Sequence, residues 1–159
     1  MMFEVEMRTM KIHFLEPGFA VADAVSPEDF SEVRRQGFRT VICNRRAGED
    51  GHESEAVFRQ AAADHDLQWF CVPVAAGEYT DQDVDAFGRV LDSAPAPILG
   101  FCRTGRRAVH LWAQSRARSP QCNIPMLLKA AHEAGHETQP IEALISNTTQ
   151  VETPTGDMK

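Results

Sequence analysis

The residues with the clearest chemical potential lie in one run: Cys102-Arg103-Thr104-Gly105-Arg106-Arg107. It combines a thiol, a glycine and three arginines in six positions. A cysteine beside cationic side chains and a helix N-terminus favours thiolate over thiol, and the thiolate is the nucleophile. Arg107, five residues after Cys102, can fork onto two oxygens of an anion or onto the terminal atoms of a persulfide. Gly105 permits φ > 0 or a close approach of the backbone to an anion. Cys102 and Arg107 are therefore the candidate catalytic residues. Arg103, Thr104, Gly105 and Arg106 are the candidate substrate-binding ones.

This run needs a strand before it and a helix after it. Ile98 to Phe101 is a short apolar stretch preceded by Pro95 and Pro97, which reads as a buried strand. Ala108, Leu111 and Trp112 recur at helical spacing. A strand turning into a helix aims backbone N–H groups and the positive helix end at one point. The same alternation runs through the chain. Strands are predicted at 11–15, 19–21, 38–43, 67–74 and 98–101. Helices are predicted after the capping signals at Ser26-Pro27, Ser54, Thr80-Asp81-Gln82-Asp83 and Asn123, with a last short helix from Pro140 through Ile145. Strands separated by helices of about ten residues imply a central, mostly parallel sheet of 4–5 strands with helices on both faces. Ligands of such sheets bind at the carboxyl ends of the strands. Cys102, the Cys43-Asn44-Arg45-Arg46 segment and Val74-Ala75-Ala76 all fall at such ends. One domain over residues 1–146 is expected, its first eleven residues frayed or adding an edge, with a disordered tail over 147–159.

Composition narrows the class. Of 159 residues, 43% are hydrophobic and 25% charged, which is ordinary for a globular domain. The net charge of −7 argues against a general nucleic-acid surface. No apolar run reaches transmembrane length, so no membrane partner is expected. The first residues carry acids where a signal peptide needs bases, so a cytoplasmic location and free thiols are expected for the four cysteines at 43, 71, 102 and 122. No residue pattern calls for a cofactor.

The Cys-Arg-x-Gly-x-Arg form resembles the active loop of rhodanese-type sulfurtransferases, which has four residues between cysteine and arginine. More broadly, residues 12–146 resemble the beta-lactamase-hydrolase-like phosphatase family of bacteria. The resemblance rests on Phe19-Ala20-Val21, Val25-Ser26-Pro27-Glu28-Asp29, Gly37-Phe38-Arg39-Thr40-Val41-Ile42, Asn44-Arg45 with Gly48-Glu49, Val72-Pro73-Val74, Thr80-Asp81-Gln82-Asp83-Val84 and Phe101 to Arg107. It implies a three-layer α/β fold like that of protein tyrosine phosphatases. It implies either phosphatase or sulfurtransferase activity. Some members are fused to, or encoded beside, a persulfide dioxygenase, which the resemblance makes a candidate partner.

Besides loop length, the residues depart from the phosphatase pattern at three places. Phosphatases of this type have five residues between cysteine and arginine, with a histidine before the cysteine and a Ser or Thr hydroxyl after the arginine. Here those two positions are Phe101 and Ala108. The general acid is also in question. Glu78 is the one acid in the 74–79 loop, while Asp81 and Asp83 read as first-turn helix acids. Sulfur transfer needs none of these groups. The leading expectation is therefore a sulfurtransferase that takes sulfane sulfur from a small anionic donor onto Cys102 and hands it to a thiol acceptor. The alternatives are phosphoester hydrolysis through phospho-Cys102 and a binding module without turnover.

Other signals read as structural. His132-Glu133-Ala134-Gly135-His136 matches a zinc-protease pattern, but Gly135 should end the helix and take His136 off its face, so no metal site is expected. Cys43 and Cys71 read as small buried hydrophobes, with a minor reading of Cys43 as partner thiol to Cys102. Arg45 and Arg46 read mainly as a solvated loop, with a minor reading in which one of them lines the pocket, His110 as packed and Trp112 as core.

Overall fold

The structure is a computed structural model that describes residues 10–152, with side chains to 146. The expectations for residues 1–9 and 153–159 lie outside the described residues. Five strands are present: β1 Ile12–Glu16, β2 Phe19–Ala22, β3 Thr40–Cys43, β4 Gln68–Cys71 and β5 Ile98–Phe101. They form one sheet in the order β1-β2-β5-β3-β4. β1 and β2 are an antiparallel hairpin turned at Pro17-Gly18, and every other pairing is parallel. The central strand is thus β5, the one that leads into Cys102. Its flanking strands end at Ala22 and Cys43, level with Phe101. Chain order reverses around it, which places a crevice at the carboxyl ends.

The helices are α1 Phe30–Arg35, α2 Glu55–Asp64, α3 Asp81–Ser93, α4 Arg106–Ala117, α5 Ile124–Glu133 and α6 Gln139–Glu152, with a 3-10 turn at Pro27–Asp29 before α1. Their starts follow the predicted caps. The Ser54 side chain accepts from Val57 N–H, Asn123 from Met126 N–H, and Thr80 and Asp83 cap each other reciprocally. α6 differs from the short helix predicted to stop at Ile145: it continues to Glu152. No helix of the described residues is long and apolar enough to cross a membrane.

Strand periodicity divides the core into two clusters. Phe19, Val21, Ile42 and Ile98 point to one face and pack with Val84, Phe87, Leu111, Leu127 and Ile141. Ala20, Val41, Cys43, Leu99 and Phe101 point to the other and pack with Phe30, Val33 and Phe58. Helices therefore cover both faces, making three layers. Gly100 serves this packing in the central strand. A Cβ there would lie 2.9 Å from Phe19 Cζ and 3.4 Å from Ile42 Cγ2. Its absence lets the Phe19 ring cross β5 and meet Phe87 edge-on, with centroids 5.7 Å apart.

Candidate functional site

β5 ends at Phe101 and α4 begins at Arg106, so the candidate loop spans one tight turn. Gly105 is the residue that makes the turn. Its φ of +89° is left-handed, and a Cβ would come within 3.2 Å of Ala22 carbonyl oxygen. This conformation folds the chain back over Cys102. Gly105 N–H and Arg107 N–H each donate to Cys102 Sγ at 3.2 Å. These are first-turn donors of α4 with no partner inside the helix. Cys102 is nearly sealed, at 1% exposure.

The Arg107 side chain is held more firmly than its position at a helix start requires. Nη1 donates to Val74 carbonyl oxygen at 2.8 Å, to Asn44 carbonyl oxygen at 3.3 Å and to Glu49 Oε2 at 2.7 Å. Nη2 donates to Glu49 Oε1 at 3.0 Å. Arg107 thereby ties the Cys loop to the loops that follow β3 and β4. The guanidinium holds the Glu49 carboxyl down to about 2, while Glu49 raises Arg107 in turn.

Glu49 has a second partner. Arg45 Nε donates to its Oε1 at 3.1 Å, and Arg45 Nη2 donates to Asp50 carbonyl oxygen at 2.6 Å. The expectation of a solvated Arg45 is overturned by its burial: it is 4% exposed. Glu49 lies near enough in sequence for one turn to bring the pair together, and the shared carboxylate offsets the cost of burying the charge. Above this network lies a cavity of about 410 Å³ whose lining includes Arg45, Arg46, Arg103, Arg107, Glu49 and Asp50. Four guanidinium groups against two carboxylates leave it cationic, suited to a small anion.

The other predicted positions divide. Arg103 reaches this cavity, Thr104 and Arg106 do not. Thr104 Oγ1 instead accepts from Arg106 N–H at 3.3 Å, and Arg106 lines a different cavity with His110 and His136. His110 is buried on α4 and shares a 2.9 Å hydrogen bond with Tyr79 Oη. Burial, then the Arg106 charge, lowers its pKa to about 4. The candidate acids are engaged elsewhere or do not line the cavity. Asp81 pairs with Arg118 at 2.8 Å, Asp83 accepts from Thr80 N–H at 3.0 Å, and Glu78 sits exposed on the turn that begins at Ala75 and does not line the cavity. Gly135, at φ +92°, ends α5 after His132 and carries His136 off the helix. Among the described residues no group of three or more His, Cys, Asp or Glu side chains is placed to hold a metal ion.

Glu49 is the functional residue that residue patterns miss as a partner of Arg107. It stands in the Gly48-Glu49 pair of the resemblance, but no local spacing links it to a loop 58 residues away.

Comparison with known proteins places this geometry. Curated beta-lactamase hydrolase-like proteins align with the chain: that of Xylella fastidiosa (strain Temecula1) is 31% identical over 107 residues, 67% of this chain and 25% of the relative. That of Agrobacterium fabrum is 29% identical over 90 residues, 56% of this chain and 21% of the relative. The chain thus spans about a quarter of the length of the Xylella relative. Among solved structures, a candidate phosphatase from Neisseria meningitidis superposes with a TM-score of 0.77 at 25% identity, covering 88% of this chain and 99% of that one. A cysteine-to-serine form of P. aeruginosa TpbA in complex with pTyr shares the fold, with a TM-score of 0.63 at 15% identity over 89% of each chain. The model of the beta-lactamase hydrolase-like protein, phosphatase-like domain, matches residues 11–119, and the chain belongs to that family.

Proposed function

We propose that this chain is a cysteine-dependent phosphatase whose Cys102 thiolate attacks phosphorus. The observation that carries the reading is the pair of N–H groups converging on Cys102 Sγ, with Arg103 and Arg107 of the same loop lining a cationic cavity. The Sγ–P bond forms as the P–O bond to the leaving group breaks. Water then attacks phosphorus, and the thiolate departs, leaving inorganic phosphate. The loop N–H groups and the guanidinium stabilise the oxygens during both steps. Asp81 and Asp83 are committed to structural bonds. The proposed substrates therefore carry leaving groups that depart without a proton, such as aryl or acyl phosphates. Family membership, and the names of the aligned proteins, support hydrolysis over the sulfur transfer that loop length favours.

Sulfur transfer stands as the second reading, because the short loop and Ala108 suit a persulfide better than a phosphoryl group. One experiment separates them. Wild type and Cys102→Ser are incubated with an aryl phosphate, and in parallel with thiosulfate or glutathione persulfide followed by intact mass spectrometry. Phosphate release by wild type alone supports hydrolysis. A cyanide-labile gain of one sulfur, absent from the variant, without phosphate release, overturns it in favour of sulfur transfer. Neither result would leave an anion-binding module.

A further inference from the structure

β3 and β4 place two cysteines side by side. Cys43 and Cys71 are register partners in parallel strands, so their side chains leave the same face of the sheet. Neighbouring strands lie about 4.8 Å apart, inside the range of about 4.4–6.8 Å found for Cα atoms of disulfide-bonded cysteines. The pairing sets the two thiols next to each other on that face. Arg45 N–H also donates to Cys43 Sγ at 3.4 Å, and His52 Nε2 stands 4.0 Å from that sulfur.

The two cysteines differ in access. Cys43 is fully buried. Cys71 is half-buried and opens on a cavity of about 400 Å³ lined also by Arg45, Gly48, His52, Trp69 and Pro73. This cavity adjoins the arginine-lined one through Arg45 and Gly48, but Cys102 is not part of it.

We propose that Cys71 and Cys43 form a second thiol site, in which Cys71 attacks a low-molecular-weight disulfide admitted by the cavity and Cys43 resolves the adduct. In the first step the Cys71 thiolate attacks one sulfur of the disulfide RS–SR. A Cys71–SR mixed disulfide forms, and one RS⁻ leaves and takes up a proton. In the second step Cys43 attacks Cys71 Sγ, and the second RS⁻ leaves and takes up the Cys43 proton. Two protein thiols are oxidised and one small disulfide is reduced to two thiols. The division of labour follows access: Cys71 opens on the cavity, while Cys43 is buried. The neighbouring Cys43 thiol draws the Cys71 thiol below its usual range, and the same proximity, with burial, pushes Cys43 up. The site does not depend on what Cys102 does.

Trypsin cuts this chain so that each of the four cysteines lies on a separate peptide, which makes the test direct. The folded full-length protein is treated with glutathione disulfide, blocked with an alkylating agent and mapped by mass spectrometry. A cross-linked pair of the Cys43 and Cys71 peptides is expected in wild type and in Cys102→Ser. In Cys43→Ser a glutathione adduct should persist on Cys71. Free, alkylated Cys71 after treatment of the wild type would overturn the proposal. So would a stable glutathione adduct on Cys71 with Cys43 still present, since resolution would then fail. Mapping the wild type keeps the test valid if a variant does not fold.

Discussion

Glu49 grips both terminal nitrogens of Arg107, at 2.7 and 3.0 Å, across 58 residues of chain. The pair is only partly exposed, and its two hydrogen bonds are charge-assisted, so it fixes where the guanidinium can point. Replacing Glu49 by Gln keeps the shape and removes the charge. Stability should fall by about 1–3 kcal/mol, measured by urea unfolding. The turnover of an aryl phosphate should drop about 10–100-fold as the guanidinium loses its aim. Arg107→Lys should cost as much alone as together with Glu49→Gln, because the two act as one unit.

The same pair has a defined pH range. Glu49 has a folded pKa lowered to about 2. Its contribution is therefore complete above the ordinary carboxylate range and is lost as pH falls through about 2. Acid unfolding of the wild type between pH about 4 and 2 should be less steep in Glu49→Gln, followed by circular dichroism.

Burial acts in the opposite chemical sense on His110, whose pKa falls to about 4. The unfolded chain binds this proton more readily than the folded one. Stability should then decline as pH drops from about 6.5 toward 4, by about 1–3 kcal/mol from this group. His52 and His136, also lowered by burial, lean the same way. His110→Gln should flatten part of that slope in thermal melts taken across the range.

A phosphatase without a dedicated acid has a kinetic signature. Asp81→Asn removes an exposed ion pair with Arg118 worth about 0.2–1 kcal/mol, and should change kcat on an aryl phosphate less than about twofold. The basic limb of the pH–rate profile, which an essential acid at Asp81 would impose, should be the same in Asp81→Asn as in wild type. Rates should fall steeply as the leaving group becomes more basic, measured over a series of substituted phenyl phosphates.

Gly100 has no room for a methyl group. Gly100→Ala should cost about 1–3 kcal/mol through the clash with Phe19, seen as a lowered unfolding midpoint. Gly105→Ala combines a positive φ with the approach to Ala22 carbonyl oxygen. It should lose activity well beyond its loss of stability, because the N–H groups aimed at Cys102 turn with it.

Features that depend on neighbours along the chain are legible in the sequence itself. Cys102, Gly105 and Arg107 lie on one strand–turn–helix unit, and the caps at Ser54, Thr80 and Asn123 act within three residues. Features that depend on distant partners are not. Arg45 reads as solvated although Glu49 is only four residues on, because what buries the pair is the tie of Glu49 to Arg107, 58 residues away. Trp112 reads as plain core, yet its indole N–H donates at 2.8 Å to Glu16, 96 residues earlier. Arg103 and Arg106 are alike in sequence, and only the turn at Gly105 sends them to different cavities. The last turns of α6 carry Ser, Asn, Thr and Gln, which resemble a tail as closely as a helix.

The ties of Arg107 to Asn44, Glu49 and Val74 mean that the motif is not portable. Grafted onto a strand–helix turn of another scaffold, Phe101 to Arg107 would carry its nucleophile and its N–H groups along. The guanidinium would arrive unaimed, since its three anchors belong to two other loops. A search for this chemistry by the short motif alone would therefore gather look-alikes. Requiring a carboxylate on the loop after the neighbouring parallel strand would separate working sites from bare turns.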